Sequence, residues 1–473
     1  MYKFCYSLAA LCLATAGLQA QSLMPAPLAD QNVDRIAPAL RAQVDRIATQ
    51  VLARTGVPSA SLAVVQHGKL VYTHAYGTAR LEPKTPATTA MRYSIGSISK
   101  QFTAATILML EEEGKLSIDD PVGKYIPGLT DGDKVTIRQI LSHTAGYQDY
   151  WPEDYAMTPM FKPTSTEAIL DRWAKKPLDF APGTQWQYSN TNFVLAGAII
   201  RKVSGQSVTD LLTTRVFKPL GMTSAWNSDQ QKLGQADAAA YVRYGIGPSR
   251  PAPIEGAGWM EAAGELAMTP HDLALWDESL LAQSLLSSKS YKKLFEEVKL
   301  ADGKGSHYGL GVEVDTLNGH RVIEHSGEVS GFVSDNVVLI DDGAAVVVLT
   351  NQDASSAAAQ IAHMVAPLVA ALPQNPEEKQ ALAIYHDLQQ GKIDRSLLAP
   401  NLSDYFSPQA LEDFRASLGP LGEPLSLTQT SKELRGGMTF HGFRIQYPDR
   451  TLHLSTYTYP DGKLEQYIVA QQQ

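Results

Sequence analysis

The sequence predicts an α/β sandwich: an antiparallel β-sheet flanked by helices, an all-helical lobe against it, and a small C-terminal α+β domain. Three observations carry this. Strand-like runs cluster at two distant places, around residues 59–77 and 320–352. Helical periodicity brackets both clusters and fills the long stretch between them, which suggests one sheet sandwiched by helices with a second lobe beside it. A break with two prolines and charge, "LPQNPEEK" at 372–379, then sets off the rest of the chain.

The elements follow in order. "MYKFCYSLAALCLATAGLQA" has one charge, Lys3, then an apolar run, then small residues. That order is expected of a secretory signal over residues 1–20, cleaved after Ala20, with the mature chain secreted or periplasmic. Leu11 before Cys12 sets a lipoprotein aside. Cys5 and Cys12 are the chain's two cysteines and both lie in this segment, so the mature chain is expected to hold no disulfide, cysteine nucleophile or thiolate metal site. No later segment approaches the ~18 consecutive apolar residues of a membrane span.

Val33, Ile36, Leu40, Val44, Ile47 and Val51 recur every three or four residues, which predicts a helix from Val33 to Thr55, stopped by Gly56 and Pro58. "SASLAVVQHGKLVYTHAYG" reads as a hairpin around His67-Gly68. In the helical middle, "TNFVLAGAIIRKVSG" ends at Gly205, and "TPHDLALWDESLL" has Thr269 as N-cap with Pro270 at the first helical position. "HRVIEHSG", "FVSDNVVLI" and "AAVVVLTNQ" read as strands, and a helix from about Ser355 to Ala371 follows. Beyond the break, two amphipathic helices and several strands with "RGG", "YPDR" and "YPDG" turns form a module at 380–473, set apart from a domain at 21–372.

Composition excludes some functions. Hydrophobic residues are 44% and charged residues 19%, a globular balance. Acidic residues outnumber basic ones 49 to 40 with no basic block, so no nucleic-acid partner is expected. The eleven histidines are scattered and there is no His-Glu-x-x-His, so no metal or cofactor is expected. There is no Gly-x-Ser-x-Gly either, which removes the α/β-hydrolases.

The chemistry centres on Ser97-Ile98-Ser99-Lys100. A serine hydroxyl needs a neighbouring base, and residues three apart on a helix share a face. A serine in the first turn has its own N–H available for an oxyanion. Lys100 serves as base only if desolvated or near another cation. A second Ser-x-x-Lys, Ser290 to Lys293, lies in a charged stretch and reads as a solvated helix face. Tyr188-Ser189-Asn190 is the only Tyr-x-Asn in the chain and reads as a loop before a helix. A tyrosine near an ammonium ionises more easily and can share proton transfer. His325-Ser326-Gly327 ends a strand, with the glycine expected to let a substrate approach. His307-Tyr308-Gly309 reads as the beginning of another strand.

The order Ser-x-x-Lys, Tyr-x-Asn, His-Ser-Gly resembles the penicillin-recognising serine hydrolases. The likeness is to the branch of class C β-lactamases, D,D-peptidases and family VIII-type esterases, and it spans roughly residues 33 to 370. "LSHTAGYQDY", "FAPGTQWQYSN", "FKPLGM" and "AAGELAMTPHDLALW" fit as flanking text. The resemblance implies a β-lactamase/transpeptidase-like fold and no cofactor. It implies Ser97 as the acylated nucleophile, Lys100 and Tyr188 as its proton handlers, and Asn190 as the group orienting a substrate amide. It further implies His325 and Ser326 at the substrate, Gly327 keeping the rim open, and the N–H groups of Ser97 and Glu328 as oxyanion hole. The substrate would be a small peptide, ester or β-lactam. A D,D-peptidase or esterase is favoured over a class C-like β-lactamase or a non-catalytic β-lactam sensor. Histidine replaces a common lysine at 325, and a substrate carboxylate is expected to need it as imidazolium. The C-terminal module lies outside the likeness; its helices-then-sheet order only loosely resembles cystatin-like or NTF2-like modules.

Overall fold

The computed structural model describes residues 31–471, apart from 154, 318, 371–375, 423, 425 and 448–449. The expected signal segment, both cysteines and part of the expected linker lie outside the described residues.

The first helix, α1, is Pro38–Thr55, shorter than its periodicity suggested. Pro38 explains the difference: its missing N–H suits the first turn of a helix and not the interior. Val33 and Arg35 instead run along a strand, donating to Thr73 Oγ1 at 2.7 Å and to Val71 O at 2.7 Å. Strands β1 (Ser59–Gln66) and β2 (Lys69–Arg80) form the expected hairpin. His67 and Gly68 both have positive φ, 51° and 71°, as a two-residue turn matching the strand twist requires.

Strand β3 is the two-residue Thr85–Pro86. Late in the chain come β4 (Glu313–Leu317), β5 (His320–Val329), β6 (Phe332–Leu339) and β7 (Ala344–Thr350). All seven pair antiparallel in the order β3-β2-β1-β7-β6-β5-β4, so the first and last parts of the domain close one sheet. Side chains alternate across it. Val346 and Val348 pack with Val44, Val51, Ile361 and Val365 of α1 and the closing helix Ala357–Val369. Val347 and Leu349 face the other way, into a core with Phe102, Ile107, Phe193 and Trp276 of the helical lobe.

Helix Ser99–Glu112 runs between sheet and lobe, and every residue from Ser99 to Leu110 is buried. Asn190–Ser204 ends at Gly205, and Pro270–Ala282 is capped by Thr269, whose side chain accepts from Asp272 N. Beyond residue 375, three helices rather than two precede a four-stranded antiparallel sheet: Pro376–Gln389, Pro400–Tyr405 and Pro408–Leu418. The extra one is a six-residue turn, too short for periodicity to register. This region has its own buried cluster, including Ile384, Phe406, Phe443, Leu454 and Tyr467. Among the described residues no helix is long and apolar enough to cross a membrane.

Candidate active site

Ser97 sits in a single tight turn, Gly96–Ile98, that leads straight into helix Ser99–Glu112. The turn presses against β5. A Cβ on Gly96 would stand 2.7 Å from Glu328 N, and one on Gly327 would stand 2.0 Å from Ile95 O. Gly327 is therefore small for the sake of the nucleophile's turn, not for the substrate: its missing side chain points at Ile95 and Ser334. That corrects the expected rim role. Nor does the His325-Ser326-Gly327 triplet end its strand, which continues to Val329.

Lys100 is fully buried. Its Nζ lies 2.9 Å from Ser97 Oγ, 2.8 Å from Asn190 Oδ1 and 2.8 Å from Ala263 O. Burial pushes its pKa down to about 7, partly offset by the Asp149 carboxylate. A neutral amine has two N–H donors and one lone pair. Asn190 Oδ1 and Ala263 O take the two donors, which leaves the lone pair facing the Ser97 hydroxyl. With a pKa of about 7 the lysine is poised between this amine and the ammonium, whose third N–H donates to Ser97 Oγ instead.

Asn190 is the first residue of its helix rather than part of the loop. Asp149 fixes it, accepting from Asn190 N at 2.9 Å and from Nδ2 at 3.3 Å. Lysine requires the oxygen and aspartate the nitrogen, so the amide's orientation is settled by chemistry. Its oxygen serves Lys100, and the residue lines the cleft.

Tyr188 bonds its hydroxyl to Ser97, and its ring centroid is 4.9 Å from Lys100 Nζ. The expected easier ionisation is not found: burial raises its pKa and keeps it a phenol. His143, which sequence reasoning passed over inside "LSHTAGYQDY", holds this loop. Its carbonyl accepts from Gln187 N at 3.0 Å, its Nδ1 accepts from Ser189 N at 3.2 Å, and its ring lies 4.2 Å from that of Tyr188. Burial lowers its pKa well below the ordinary value, so it stays neutral.

His325 overturns a second expectation. It is only 2% exposed. Nδ1 is 2.5 Å from Ser326 O, which can only accept, so Nδ1 carries the proton. Nε2 then accepts from Tyr308 Oη at 2.7 Å. Burial, with the charge of Lys100 second, pushes its pKa down to about 3. Tyr308 was read only as the beginning of a strand; no local pattern marks it as the partner of a residue 17 positions on. We predict that a carboxylate-bearing substrate and its amidated twin give kcat/KM profiles of the same shape between about pH 5 and 9. Alkaline loss confined to the carboxylate substrate would show His325 acting as a cation.

Ser97, Tyr188, Asn190, His325, Ser326 and Glu328 line one cleft of about 510 Å³. Lys100 lies beneath its floor. Ser290, the other candidate serine, is not on this lining. It is buried on helix Ser288–Phe295, not solvated, and accepts from Ser287 Oγ at 3.3 Å, while Lys293 pairs with Glu111 at 2.6 Å. Among the described residues one group could hold a metal, Glu324, Asp335 and His363, with ligand atoms within 4.8 Å of one another. None of the three lines the cleft.

The sequence profile of the Beta-lactamase family matches residues 44–371. The chain belongs to that family. It is 29% identical over 343 residues to a penicillin-binding protein of Bacillus subtilis (strain 168), covering 68% of this chain and 76% of that protein. It is also 29% identical over 283 residues to a D-aminopeptidase of Brucella anthropi, covering 58% of this chain and 52% of that one. It thus spans about half the length of that relative. Among solved structures, a D-stereospecific amidohydrolase from a Streptomyces species has a TM-score of 0.58 at 27% identity, over 67% of this chain and 96% of that one. An octameric penicillin-binding protein homologue from Pyrococcus abyssi has a TM-score of 0.63 at 22% identity, over 91% of this chain and 99% of that one. That share is too large for residues 44–371 alone, so the fold likeness reaches beyond residue 375.

Proposed function

We propose that this family member is an exported serine hydrolase that cleaves amide or ester bonds through an acyl-enzyme. The observation that supports it most is Lys100: wholly buried, 2.9 Å from Ser97 Oγ, with its pKa lowered to about 7. Ser97 Oγ attacks the substrate carbonyl while its proton passes to Lys100 Nζ. The developing oxyanion is held by the N–H groups of Ser97 and Glu328. The leaving group then takes a proton from Tyr188 Oη, which Lys100 replenishes, and water releases the acyl group by the reverse path.

A neutral His325 supplies no charge for a substrate carboxylate. That favours an amidase, aminopeptidase or esterase over a β-lactamase or carboxypeptidase, and relatives named for D-aminopeptidase and amidohydrolase activity support the same choice. The test is acid quench of the enzyme during turnover of a p-nitrophenyl ester, followed by peptide mass mapping. An acyl group on the Ser97 peptide is expected. Acylation at another residue would overturn the assignment, and a permanent adduct without turnover would make the chain a sensor.

A further inference from the structure

The cleft is lined by five carboxylates, Asp149, Glu153, Glu313, Glu328 and Asp353, and among the described residues by no lysine or arginine. Asp149 is occupied with Asn190. Asp353 is different. It is 7% exposed; its Oδ2 accepts from Gly331 N at 3.2 Å, but its buried Oδ1 has no hydrogen-bond partner. Glu153 Oε2 is also buried without a partner on the same lining. Leaving a buried carboxylate oxygen without a donor is costly, and such atoms call for an explanation.

Further carboxylates stand close to Asp353. Glu328 Oε1 accepts from Ala354 N at 2.7 Å, which ties it to the segment carrying Asp353. Behind the wall, buried Glu255 accepts from Ser330 N at 2.9 Å; burial first, and the Glu255 charge after it, raise the pKa of Asp353, so a cation beside it would favour its carboxylate form. Arg80 and Lys232 line an adjoining pocket of about 180 Å³, not the cleft. The Arg80 guanidinium donates to the carbonyls of Gln235 and Asp237.

We infer that the wall formed by Asp353, Glu328 and Glu153 is a subsite for a protonated amine on the acyl part of the substrate. The side is fixed by the strand. Glu328 N marks the reacting carbonyl in the mechanism above, on which this inference rests. His325 lies on the Tyr188 side, with ring centroids 6.2 Å apart. The leaving group takes its proton from Tyr188, so it occupies the His325-Ser326 side. The acyl group is left with Val329, Ser330 and Asp353. An ammonium there gives Asp353 Oδ1 its missing donor. The cation can be the free α-ammonium of a terminal residue or the ε-ammonium of a lysine-like acyl side chain.

The experiment compares kcat/KM for the p-nitroanilides of D- and L-alanine, their N-acetyl forms, and N-acetyl-lysine of both hands. For the preferred hand, a free ammonium is expected to favour hydrolysis by about 10- to 100-fold over the N-acetyl-alanine compound. Asp353→Asn keeps an oxygen for Gly331 and should shrink that ratio towards one. An advantage for N-acetyl-lysine assigns the side-chain ammonium; an advantage for alanine alone assigns the α-ammonium. If no anilide turns over, protection of Ser97 from a fluorophosphonate by alaninamide against N-acetyl-alaninamide reads the same preference. A ratio near one in the wild type, with Ser97 labelled normally, overturns the subsite and leaves the hydrolase standing. Failure of Ser97 to label at all removes the hydrolase reading instead.

Discussion

Ser97→Ala is expected to lower kcat by about 10⁴-fold or more and to abolish labelling by a fluorophosphonate, because Ser97 is the cleft serine whose hydroxyl meets Lys100. The hydroxyl touches Lys100 and Tyr188, and it stands on a half-buried turn rather than in the packed core. Its removal leaves Lys100 two acceptors, Asn190 Oδ1 and Ala263 O, so the fold should survive. A thermal unfolding scan within a few degrees of wild type would establish that the loss is chemical. Ser290→Ala is the control. Its backbone N–H donates to the Ser287 cap and survives the substitution, and its hydroxyl accepts from Ser287 Oγ outside the cleft, so the change should cost little stability and no turnover. Full activity in Ser97→Ala, or its loss in Ser290→Ala, would mean that the wrong Ser-x-x-Lys carries the chemistry.

Lys100→Met should cost about 10²- to 10⁴-fold in kcat/KM, the usual share of a general base. Its pH signature is more telling than its size. Below its pKa the ammonium has no lone pair and donates to Ser97 Oγ instead of accepting from it. Activity in the wild type should therefore fall tenfold per pH unit below about 7 and level off above it. His325 and His143, both held neutral by burial, add no limb of their own at neutral pH. Tyr188, with its pKa raised, contributes none there either. The methionine variant should lose the acid limb along with the rate. A limb near 7 that persists in Lys100→Met would place the titrating base elsewhere, with Glu313, which burial pushes up to about 7, the first group to examine.

The legible parts of this protein are the local ones. The Thr269 cap, the Gly205 stop and the His67-Gly68 turn each depend on contacts within a few residues, so residue type and spacing suffice. Ser97 and Lys100 are legible for the same reason, since three residues span one helical turn. The first helix begins later than its periodicity predicts because Val33 and Ile36, three apart, both pack on the core while the backbone of Val33 and Arg35 bonds to the sheet. Asp149, His143 and Tyr308 were missed because each acts on a residue far along the chain: Asn190, the 187–189 loop and His325. Their signals are single residues with no spacing to read.

Residue order alone determined which side chains could form a nucleophile, a base and a proton donor, and that one sheet would be built from both ends of the domain. Folding decided their charge states. Lys100 is brought to about 7 and His325 to about 3 chiefly by burial, and Asp353 keeps an oxygen without a donor because of where the chain packs it. Desolvation is the loss of water around a group, and water is excluded by segments that meet only in three dimensions. A sequence names the titratable groups; the packing around them sets which form each one holds.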